Sequence, residues 1–287
     1  MSFPARVSRK LRHYFLARKG NLRGSAALIL QDWSGCAPAS SRLCIYAHYS
    51  TDGSVASWIL TALDGLRNEG FDLVFVTSAE GLRPEALEAL RARCTRILVR
   101  ENVSLDFASW KCAIDRLSPS QLATTSQVLL LNDSVYGPFG PLRPLFEEMS
   151  GRNLDVWGLT ESPEIASHVQ SYFLVFERSA LQGGLFTDFW KGFRFQWRKY
   201  PLIRAGEIGL SQFALDRGAR IGAWIATDRL PDSRNPTLFH WELLIREFGF
   251  PFLKTELPRL NRFADPRIAE WKSVVQGRFP GYPVSKL

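Results

Sequence analysis

A buried strand and a polar turn meet in the segment Val128-Leu129-Leu130-Leu131-Asn132-Asp133-Ser134-Val135-Tyr136-Gly137-Pro138. The unbroken apolar run predicts a strand that is covered on both faces, so the three polar residues that follow stand at its carboxyl end. Ligands of open α/β sheets bind just outside such ends. Asp133, between Asn132 and Ser134, offers the oxygen ligands that hard divalent cations prefer. The alternative is a structural turn in which Asp133 accepts hydrogen bonds from local backbone amides.

Three other apolar runs predict strands that belong to the same sheet. They are Cys44–Tyr49, Leu73–Thr77 and Arg96–Arg100, and each is followed by apolar residues at helical spacing. Strands that alternate with helices in this way predict βαβ units, right-handed crossovers and a parallel sheet.

The pattern changes beyond the central strand. Asp155–Glu161 and Val169–Phe176 have the composition of strands but no long helix lies between them, which predicts a mixed or antiparallel extension. We therefore expect an α/β fold with a Rossmann-type, mostly parallel sheet flanked by helices and extended by mixed or antiparallel strands.

Composition and cysteine spacing exclude several classes of protein. The chain has 287 residues, 46% of them hydrophobic, which is enough for one large core. Its four cysteines show neither a CxxC pair nor a histidine at metal-ligand spacing, so neither a zinc site nor a disulfide framework is expected. No apolar run approaches the roughly 18 residues of a membrane span. These features predict a cytoplasmic protein that neither spans a membrane nor is exported.

Basic residues are concentrated at the N-terminus. Residues 1–31 hold seven of them and no acid, which accounts for all but one unit of the net charge of +8. Residues 3–19 place Val7, Leu11, Tyr14 and Phe15 at helical spacing and predict a basic amphipathic helix. Such a helix can bind an anionic surface, here the inner face of the cytoplasmic membrane. A solvated basic arm and a helix packed on the body are the alternatives.

The chain is predicted to have two parts. A linker containing Gly, Ser and Pro runs from Gly20 to Ser41, interrupted by Ala26–Trp33. We therefore separate residues 1–41, the basic segment and its linker, from residues 42–287, a single domain. The second part is nearly neutral and shows no module that reads bases, so nucleic acid is not an expected partner.

Polar side chains beyond the central strand are candidates for the chemistry of the site. His168, Gln170 and Tyr172 alternate along one face of their predicted strand, where they would face a substrate or solvent. Glu207 precedes a helix that ends near Gly218. A carboxylate there can act as a general base or compensate the helix dipole.

Three other polar residues have both a functional and a structural interpretation. Asp106 lies near the start of a helix, where it can be a ligand or a cap. His240 can complete a metal site or pack in a core, and Lys254 can neutralise a diphosphate or lie on the surface.

Six short motifs, in this order, resemble the rhamnan synthesis protein F family over residues 43–259. The motifs are Ala47-His48-Tyr49 with Asp52-Gly53, Arg100-Glu101-Asn102 with Asp106-Phe107 and Trp110-Lys111, Leu131 to Pro138, Trp157-Gly158-Leu159-Thr160, Gln170-Ser171-Tyr172-Phe173, and Glu207-Ile208-Gly209. One departure stands out: the family's usual Gly-Tyr before Asp-Phe is Ser104-Leu105 here.

The resemblance implies a GT-A-like glycosyltransferase. Such an enzyme would move rhamnose or a related sugar from a dTDP- or UDP-linked donor to a growing cell-surface polysaccharide or lipid-linked glycan of the O-antigen or lipopolysaccharide type. It would work at the cytoplasmic face of the membrane as a peripheral protein.

The resemblance also implies roles for individual residues. It places Asn132-Asp133-Ser134 where GT-A enzymes carry their acidic metal-binding motif, so Mg²⁺ or Mn²⁺ would be held by Asp133 with His240. Glu207 is the first choice and Glu161 the second for the base that takes the acceptor's proton. Gln170 and Tyr172 would contact the acceptor. The residues assigned to donor binding are His48, Asp52, Asn102, Asp106, Lys111, Asn132, Ser134 and Lys254.

Several alternatives stay open. The motif lacks a second carboxylate, so cations such as Lys111 or Lys254 can replace the metal. A non-catalytic relative would bind a nucleotide sugar or glycan as a scaffold of a polysaccharide synthesis complex. A phosphohydrolase with an aspartyl nucleophile ranks lower, because Asn132-Asp133-Ser134 does not supply its Asp-x-Asp motif.

Overall fold

The computed structural model describes the backbone of residues 3–287 and the side chains of residues 8–285 and 287. The strands are β1 (Ile29–Ser34), β2 (Arg42–Tyr49), β3 (Asp72–Ser78), β4 (Arg96–Arg100), β5 (Gln127–Asn132), β6 (Val135–Tyr136), β7 (Val156–Ser162), β8 (His168–Val169), β9 (Phe173–Glu177), β10 (Ile221–Ile225) and β11 (Leu253–Lys254).

Helices follow most of the strands. The α-helices are α1 (Phe3–Arg23), α2 (Ser57–Asn68), α3 (Pro84–Arg91), α4 (Leu105–Ile114), α5 (Pro119–Thr124), α6 (Arg143–Ser150), α7 (Arg178–Gln182), α8 (Leu185–Gly192), α9 (Lys199–Ile203), α10 (Gly209–Asp216), α11 (Pro236–Phe239), α12 (Trp241–Phe248), α13 (Glu256–Leu260) and α14 (Trp271–Arg278). A π-helical turn, Arg204–Ile208, joins α9 to α10.

The main sheet combines a parallel half with a mixed half. Among the described residues its strand order is β1-β4-β3-β2-β5-β9-β7-β10, with β8 paired to β7. β4, β3, β2 and β5 are parallel, whereas β9 runs antiparallel to both β5 and β7. β10 is parallel to β7. The predicted fold class, a mostly parallel sheet with a mixed extension, is confirmed.

Helices cover both faces of this sheet because the central strands are apolar on both sides. In β2, Cys44 and Tyr46 enter one core, while Ile45 and Ala47 enter the other. The first core is completed by α2, α3, α6, α12 and α14, and the second by α1, α4, α8 and α10. Since the faces are covered, the loops at the carboxyl ends of the parallel strands are left to form a site.

The segment predicted as a linker contributes a strand to the sheet. β1 pairs antiparallel with β4, from Ile29 opposite Arg100 to Ser34 opposite Arg96. The sequence interpretation missed this strand because it lies at the sheet edge, where Leu30 to Asp32 are exposed and break the pattern of burial.

The single strand predicted at Val169–Phe176 is two strands. β8 ends at Val169, β9 begins at Phe173, and the backbone N–H of Gln170 donates to the carbonyl of Thr160 at 2.9 Å in the turn between them. The predicted alternation of His168, Gln170 and Tyr172 along one strand face is therefore wrong. All three side chains are nevertheless buried.

The N-terminal helix α1 packs on the body through one face. Leu16 and Ala17 are buried, and Gly20 lies so close to Phe195 and Leu28 that a Cβ atom there would come within 2.7 Å of the Phe195 ring. The helical part of the sequence prediction is confirmed. Within the described chain, no helix has the length and hydrophobicity that crossing a membrane requires.

Candidate functional site

A cavity of about 470 Å³ opens at the carboxyl ends of the central strands. Its walls come from the loop after β5, the start of α4, the turn between β8 and β9, the π-helical turn, and the segments around α11 and β11. Its polar and charged lining residues are Asp106, Asn132, Ser134, Ser162, Glu164, His168, Gln170, Ser171, Tyr172, Lys199, Glu207, Asn235, Thr237, Lys254, Thr255 and Glu256.

The loop after β5 is linked to α4 and β11 by hydrogen bonds. Asn132 Nδ2 donates to Asp106 Oδ2 at 2.7 Å, and Asn132 Oδ1 accepts from the Ser134 hydroxyl at 2.5 Å. Lys254 Nζ donates to Ser134 Oγ at 3.1 Å and lies 4.4 Å from the centre of the Tyr172 ring. Four residues that were predicted to bind the donor, Asp106, Asn132, Ser134 and Lys254, are thus brought together.

Burial shifts both charged members of this cluster towards their neutral forms. It raises the pKa of Asp106, against the opposing effect of the Arg100 and Lys254 cations. It lowers the pKa of Lys254, against the opposing effect of the Glu207 and Asp106 carboxylates. The ammonium therefore sits in a buried place that favours an additional anionic partner.

Asp133 does not line the cavity. Its Oδ2 accepts from the backbone N–H of Tyr49 at 2.9 Å, at the end of β2. Burial and the nearby Asp106 carboxylate raise the pKa of Asp133 to about 7. Successive side chains at a strand end point to opposite sides, which explains why Asn132 faces the cavity and Asp133 faces β2.

Glu207 lies in the π-helical turn rather than at the start of a helix, as the sequence suggested. Its Oε1 accepts from the backbone N–H of Ser171 at 2.6 Å, and its Oε2 lies 4.0 Å from His168 Nε2. The neighbouring Gly206 packs against the Phe107 ring so closely that a Cβ atom there would approach to 2.7 Å. Helical turns of this type occur frequently at functional sites.

The turn between β8 and β9 is fixed by buried hydroxyl and amide groups. The Thr160 hydroxyl donates to Gln170 Oε1 at 2.7 Å and lies 2.8 Å from the Tyr172 hydroxyl. Gln170 Nε2 donates to Asn235 Oδ1 at 3.3 Å. The two predicted acceptor residues therefore line the cavity, and their polar groups have partners within the protein.

A strained segment forms the wall beside α4. Ser104 and Leu105 adopt left-handed backbone angles, with φ of 53° and 46°, which costs about 1 to 3 kcal/mol for a residue other than glycine. The buried Arg100 guanidinium holds this segment by donating to the carbonyls of Glu101 at 2.7 Å and Val103 at 2.8 Å, and to that of Leu105. This is the position where the family usually has Gly-Tyr.

Three residues that were predicted to bind the donor lie near the same sheet edge but do not line this cavity. His48 is buried beside the Thr77 hydroxyl at 2.9 Å, and burial lowers its pKa to about 4. Asp52 accepts from the Ser54 hydroxyl at 2.6 Å within its own loop. Asn102 lines a different cavity.

Three others form ion pairs or hydrogen bonds away from the cavity. Lys111 pairs with Asp115 at 2.6 Å. Glu161 accepts from the backbone N–H of Thr227 at 2.7 Å and from its hydroxyl at 2.8 Å. His240 Nε2 lies 2.9 Å from Asp232, so the structure does not pair it with Asp133.

Other lining residues were not selected from the sequence. Lys199, Asn235, Thr237 and Thr255 lie in loops or at helix starts that carry no recognisable motif. Thr255 is held by its backbone N–H, which donates to the Ser134 carbonyl at 2.9 Å. His168 was part of the noticed polar row, and its place beside Glu207 could have been found only from the fold.

The described residues contain no group of three or more His, Cys, Asp or Glu side chains that could hold a metal ion. Mg²⁺ at nucleotide sites is commonly bound by one or two carboxylates together with substrate phosphates. Asp133 and Asp106 are close enough for the charge of Asp106 to raise the pKa of Asp133. Of the two carboxylates, Asp106 lines the cavity and Asp133 does not, so they do not form a metal site by themselves.

Comparison with known proteins identifies one family and one curated relative. The family model of rhamnan synthesis protein F matches residues 73–264. Virulence protein VirA of Vibrio anguillarum is 24% identical, in an alignment that covers 82% of this chain and 85% of VirA.

Two solved structures are similar at low identity. A protein from Desulfovibrio desulfuricans G20 that is assigned to the nucleotide-diphospho-sugar transferases is 11% identical, with a TM-score of 0.45 over 84% of this chain and 99% of that one. Mannosyltransferase PcManGT from Pyrobaculum calidifontis, solved with GDP-Man and Mn²⁺, is 11% identical, with a TM-score of 0.42 over 97% of this chain and 88% of that one. Likeness at this level supports no argument about activity.

Proposed function

The chain belongs to the rhamnan synthesis protein F family, and on that premise we propose that it is a glycosyltransferase. It transfers rhamnose or a related sugar from a dTDP- or UDP-linked donor to a growing cell-surface polysaccharide or lipid-linked glycan. One observation carries the proposal: Glu207, Lys254 and Asp106 line one cavity, and the Glu207 carboxylate lies close enough to affect the pKa values of both Asp106 and Lys254.

Lys254 stabilises the departing nucleoside diphosphate. Its ammonium is held between Ser134 Oγ and the Tyr172 ring, in a buried place where a charge interacts more strongly than in water. Negative charge grows on the diphosphate as the glycosidic bond breaks. A fixed cation that meets this charge lowers the barrier without reorganising at the moment of reaction.

Glu207 takes the proton from the acceptor hydroxyl. The Ser171 N–H fixes one of its oxygens and His168 lies near the other, so the carboxylate is oriented before the acceptor arrives. A positioned carboxylate of this kind typically contributes a factor of about 10² to 10⁴ in rate.

Asp106, which lines the cavity, would hold a divalent cation, Mg²⁺ or Mn²⁺, together with the diphosphate. Asp133, which faces β2, would join it by turning towards the cavity. When bound, the cation would add further neutralisation of the leaving group. Without it, burial and the nearby Asp106 carboxylate raise the pKa of Asp133 to about 7, so Asp133 is partly protonated at neutral pH.

We further propose that α1 places the enzyme against an anionic membrane face. Leu11, Phe15 and Leu22 project from one side of α1 with 53%, 60% and 73% of their surfaces exposed, and the exposed Arg12 and Arg18 flank them. A cation-bordered apolar stripe of this type suits the interface of an anionic bilayer.

The test is thermal melting of the purified protein with UDP, dTDP, GDP and CMP, each with and without Mg²⁺ or Mn²⁺. The variant is Asp133→Asn, and Asp188→Asn is the matched control because Asp188 is an exposed residue of α8. A ligand present at 100 times its dissociation constant stabilises the protein by about 2.7 kcal/mol.

We expect one diphosphate nucleotide to raise the melting temperature, more with metal, and Asp133→Asn to lose the metal-dependent part. Turnover of the matching nucleotide sugar must follow. Binding without turnover would instead favour the alternative function, a scaffold that binds nucleotide sugars. The absence of any nucleotide effect would contradict the donor site.

A further inference from the structure

A second cavity lies beside the first and has a different charge. It also measures about 470 Å³. It is enclosed by α1, by the strained residues Ser104 and Leu105 at the start of α4, and by residues 196–199. Leu105, Lys199 and Leu202 line both cavities, so the two cavities share this wall.

The lining of this second cavity is cationic. Arg9, Lys10, Arg198 and Lys199 line it, and no Asp or Glu does. In the described part of the chain, none of these four has an ion-pair partner, whereas the adjacent Arg12 is paired with Glu101 at 3.0 Å. Burial, with added repulsion from Arg9 and Arg12, lowers the pKa of His13 in the same wall. The cavity therefore has unbalanced positive charge.

Apolar surface borders these cations. Arg198 stacks on the Trp197 ring at 4.1 Å, and Trp197 meets the Tyr14 ring edge to face at 5.8 Å. Leu105 is 51% exposed and Phe15 continues the apolar surface along α1. An anion with an apolar attachment matches this combination better than a free anion, because arginine binds phosphate while the rings cover methylene groups.

The charges of the second cavity act on a charged residue of the first cavity. Lys199 is close enough to Lys254 to lower its pKa by repulsion. Since Leu105, Lys199 and Leu202 line both cavities, a ligand whose anionic group sits at Arg9 and Arg198 lies directly beside the first cavity.

We propose that this second cavity binds the phosphate or diphosphate group of an acceptor that carries an apolar chain. The proposal rests on the transferase function above and assigns the place of the acceptor's anionic end. The sugar end of such an acceptor then reaches the first cavity, while the apolar chain follows the exposed surface of α1.

The experiment is calorimetric titration of the full chain with farnesyl diphosphate, inorganic pyrophosphate and farnesol. The test variant is Arg9→Gln combined with Arg198→Gln. Arg143→Gln is the control, because Arg143 is exposed on α6, which packs on the opposite face of the sheet. Melting with nucleotide is measured on every variant, so a failure of the donor site is seen separately.

We expect farnesyl diphosphate to bind most tightly, pyrophosphate more weakly and farnesol least. The double variant should bind farnesyl diphosphate ten- to a hundredfold more weakly, since a lost hydrogen bond to a charged group commonly costs about tenfold. The control should stay within about twofold of wild type, and the nucleotide effect on melting should be unchanged in all variants.

Two outcomes would overturn the proposal. One is equal binding of farnesyl diphosphate by wild type and the double variant. The other concerns phosphatidylcholine vesicles that contain either phosphatidylglycerol or a prenyl diphosphate. If the protein binds both kinds of vesicle equally tightly, and the double variant weakens both equally, the cations recognise any lipid headgroup rather than an acceptor.

Discussion

The two neighbouring cavities differ in how their charges are balanced. In the first, the Lys254 cation lies among the Asp106 and Glu207 carboxylates and is hydrogen-bonded to Ser134. In the second, the cations of Arg9, Lys10 and Arg198 have no carboxylate among the lining residues. Balanced, buried charge suits a reaction in which protons and charge move, whereas unbalanced charge suits holding an anion. The predictions below separate these two roles.

The largest effect is expected from Glu207→Gln. The amide oxygen can still accept from the Ser171 N–H, so the melting temperature should stay close to that of wild type. Loss of the base should lower kcat for sugar transfer by about 10² to 10⁴. The measurement is single-turnover transfer with saturating donor.

Glu164→Gln is the matched control for this variant, because Glu164 lines the same cavity from an exposed loop. It should transfer sugar at a rate close to that of wild type. Equal rates for Glu207→Gln and wild type would exclude Glu207 as the base.

Stability should fall as the pH rises from about 4 to about 7, and Asp133 should be one cause. Its folded pKa of about 7 lies above the ordinary aspartate value of 3.8, so the folded state binds the proton more tightly than the unfolded state in this window. The contribution present at low pH is lost as Asp133 ionises, by at most about 4 kcal/mol. Urea unfolding across this range measures it.

Asp133→Asn should flatten the part of this pH dependence that belongs to Asp133. Asp106 is coupled to it and its pKa is also raised, so some dependence remains. Mg²⁺ with a nucleoside diphosphate should flatten the wild-type profile as well, because a cation favours the ionised carboxylates. Parallel profiles for wild type and Asp133→Asn would contradict the raised pKa.

Lys254→Met should weaken the binding of a nucleoside diphosphate by about ten- to a hundredfold, since a charge-assisted contact is lost. The loss should be smaller for the monophosphate, which places less charge at the ammonium. Lys191→Met, an exposed residue of α8, is the control. A similar loss for both ligands would place the phosphates elsewhere.

The smallest effect is expected from Tyr172→Phe. The hydroxyl lies 2.8 Å from that of Thr160, so its removal should cost about 1 kcal/mol of stability. The ring stays beneath Lys254, and nucleotide binding should not change. A fall in transfer rate without a loss of stability would instead support the sequence prediction that Tyr172 contacts the acceptor.

The sequence was sufficient for the features that depend on burial. β2, β3, β4 and β5 are unbroken apolar runs, and a strand covered on both faces has no other pattern. Because parallel strands present their carboxyl ends at one edge, polar residues such as Asn132 could be placed there from the sequence. Asp106 and Glu207 lie in the family motifs, whereas Lys254 was selected from its own segment as a cation for a diphosphate. The structure brings all three to the same cavity.

Other features depend on geometry that residue types do not encode. The sequence cannot show which of Asn132 and Asp133 turns towards the cavity, since that depends on the exact end of the strand. The edge strand β1 was not predicted because its exposed residues break the apolar pattern. Gln170 was predicted to lie in a strand because the segment Val169–Phe176 has the composition of a strand, although the chain turns there. The second cavity depends on how α1 docks, and helical spacing alone left that docking undecided.

The direction in which Glu207 points depends on the number of residues in the π-helical turn Arg204–Ile208. The turn holds one residue more than an α-helical turn, and Ser211 on the far side is fixed because its hydroxyl accepts from the backbone N–H of Val169 at 3.1 Å. Deleting Ile208, the residue of the turn that lies between Glu207 and Ser211, would rotate Glu207 by about 100° around the axis relative to Ser211. A single-codon deletion at this point would therefore displace the proposed base, although Glu207 would still be present in the sequence.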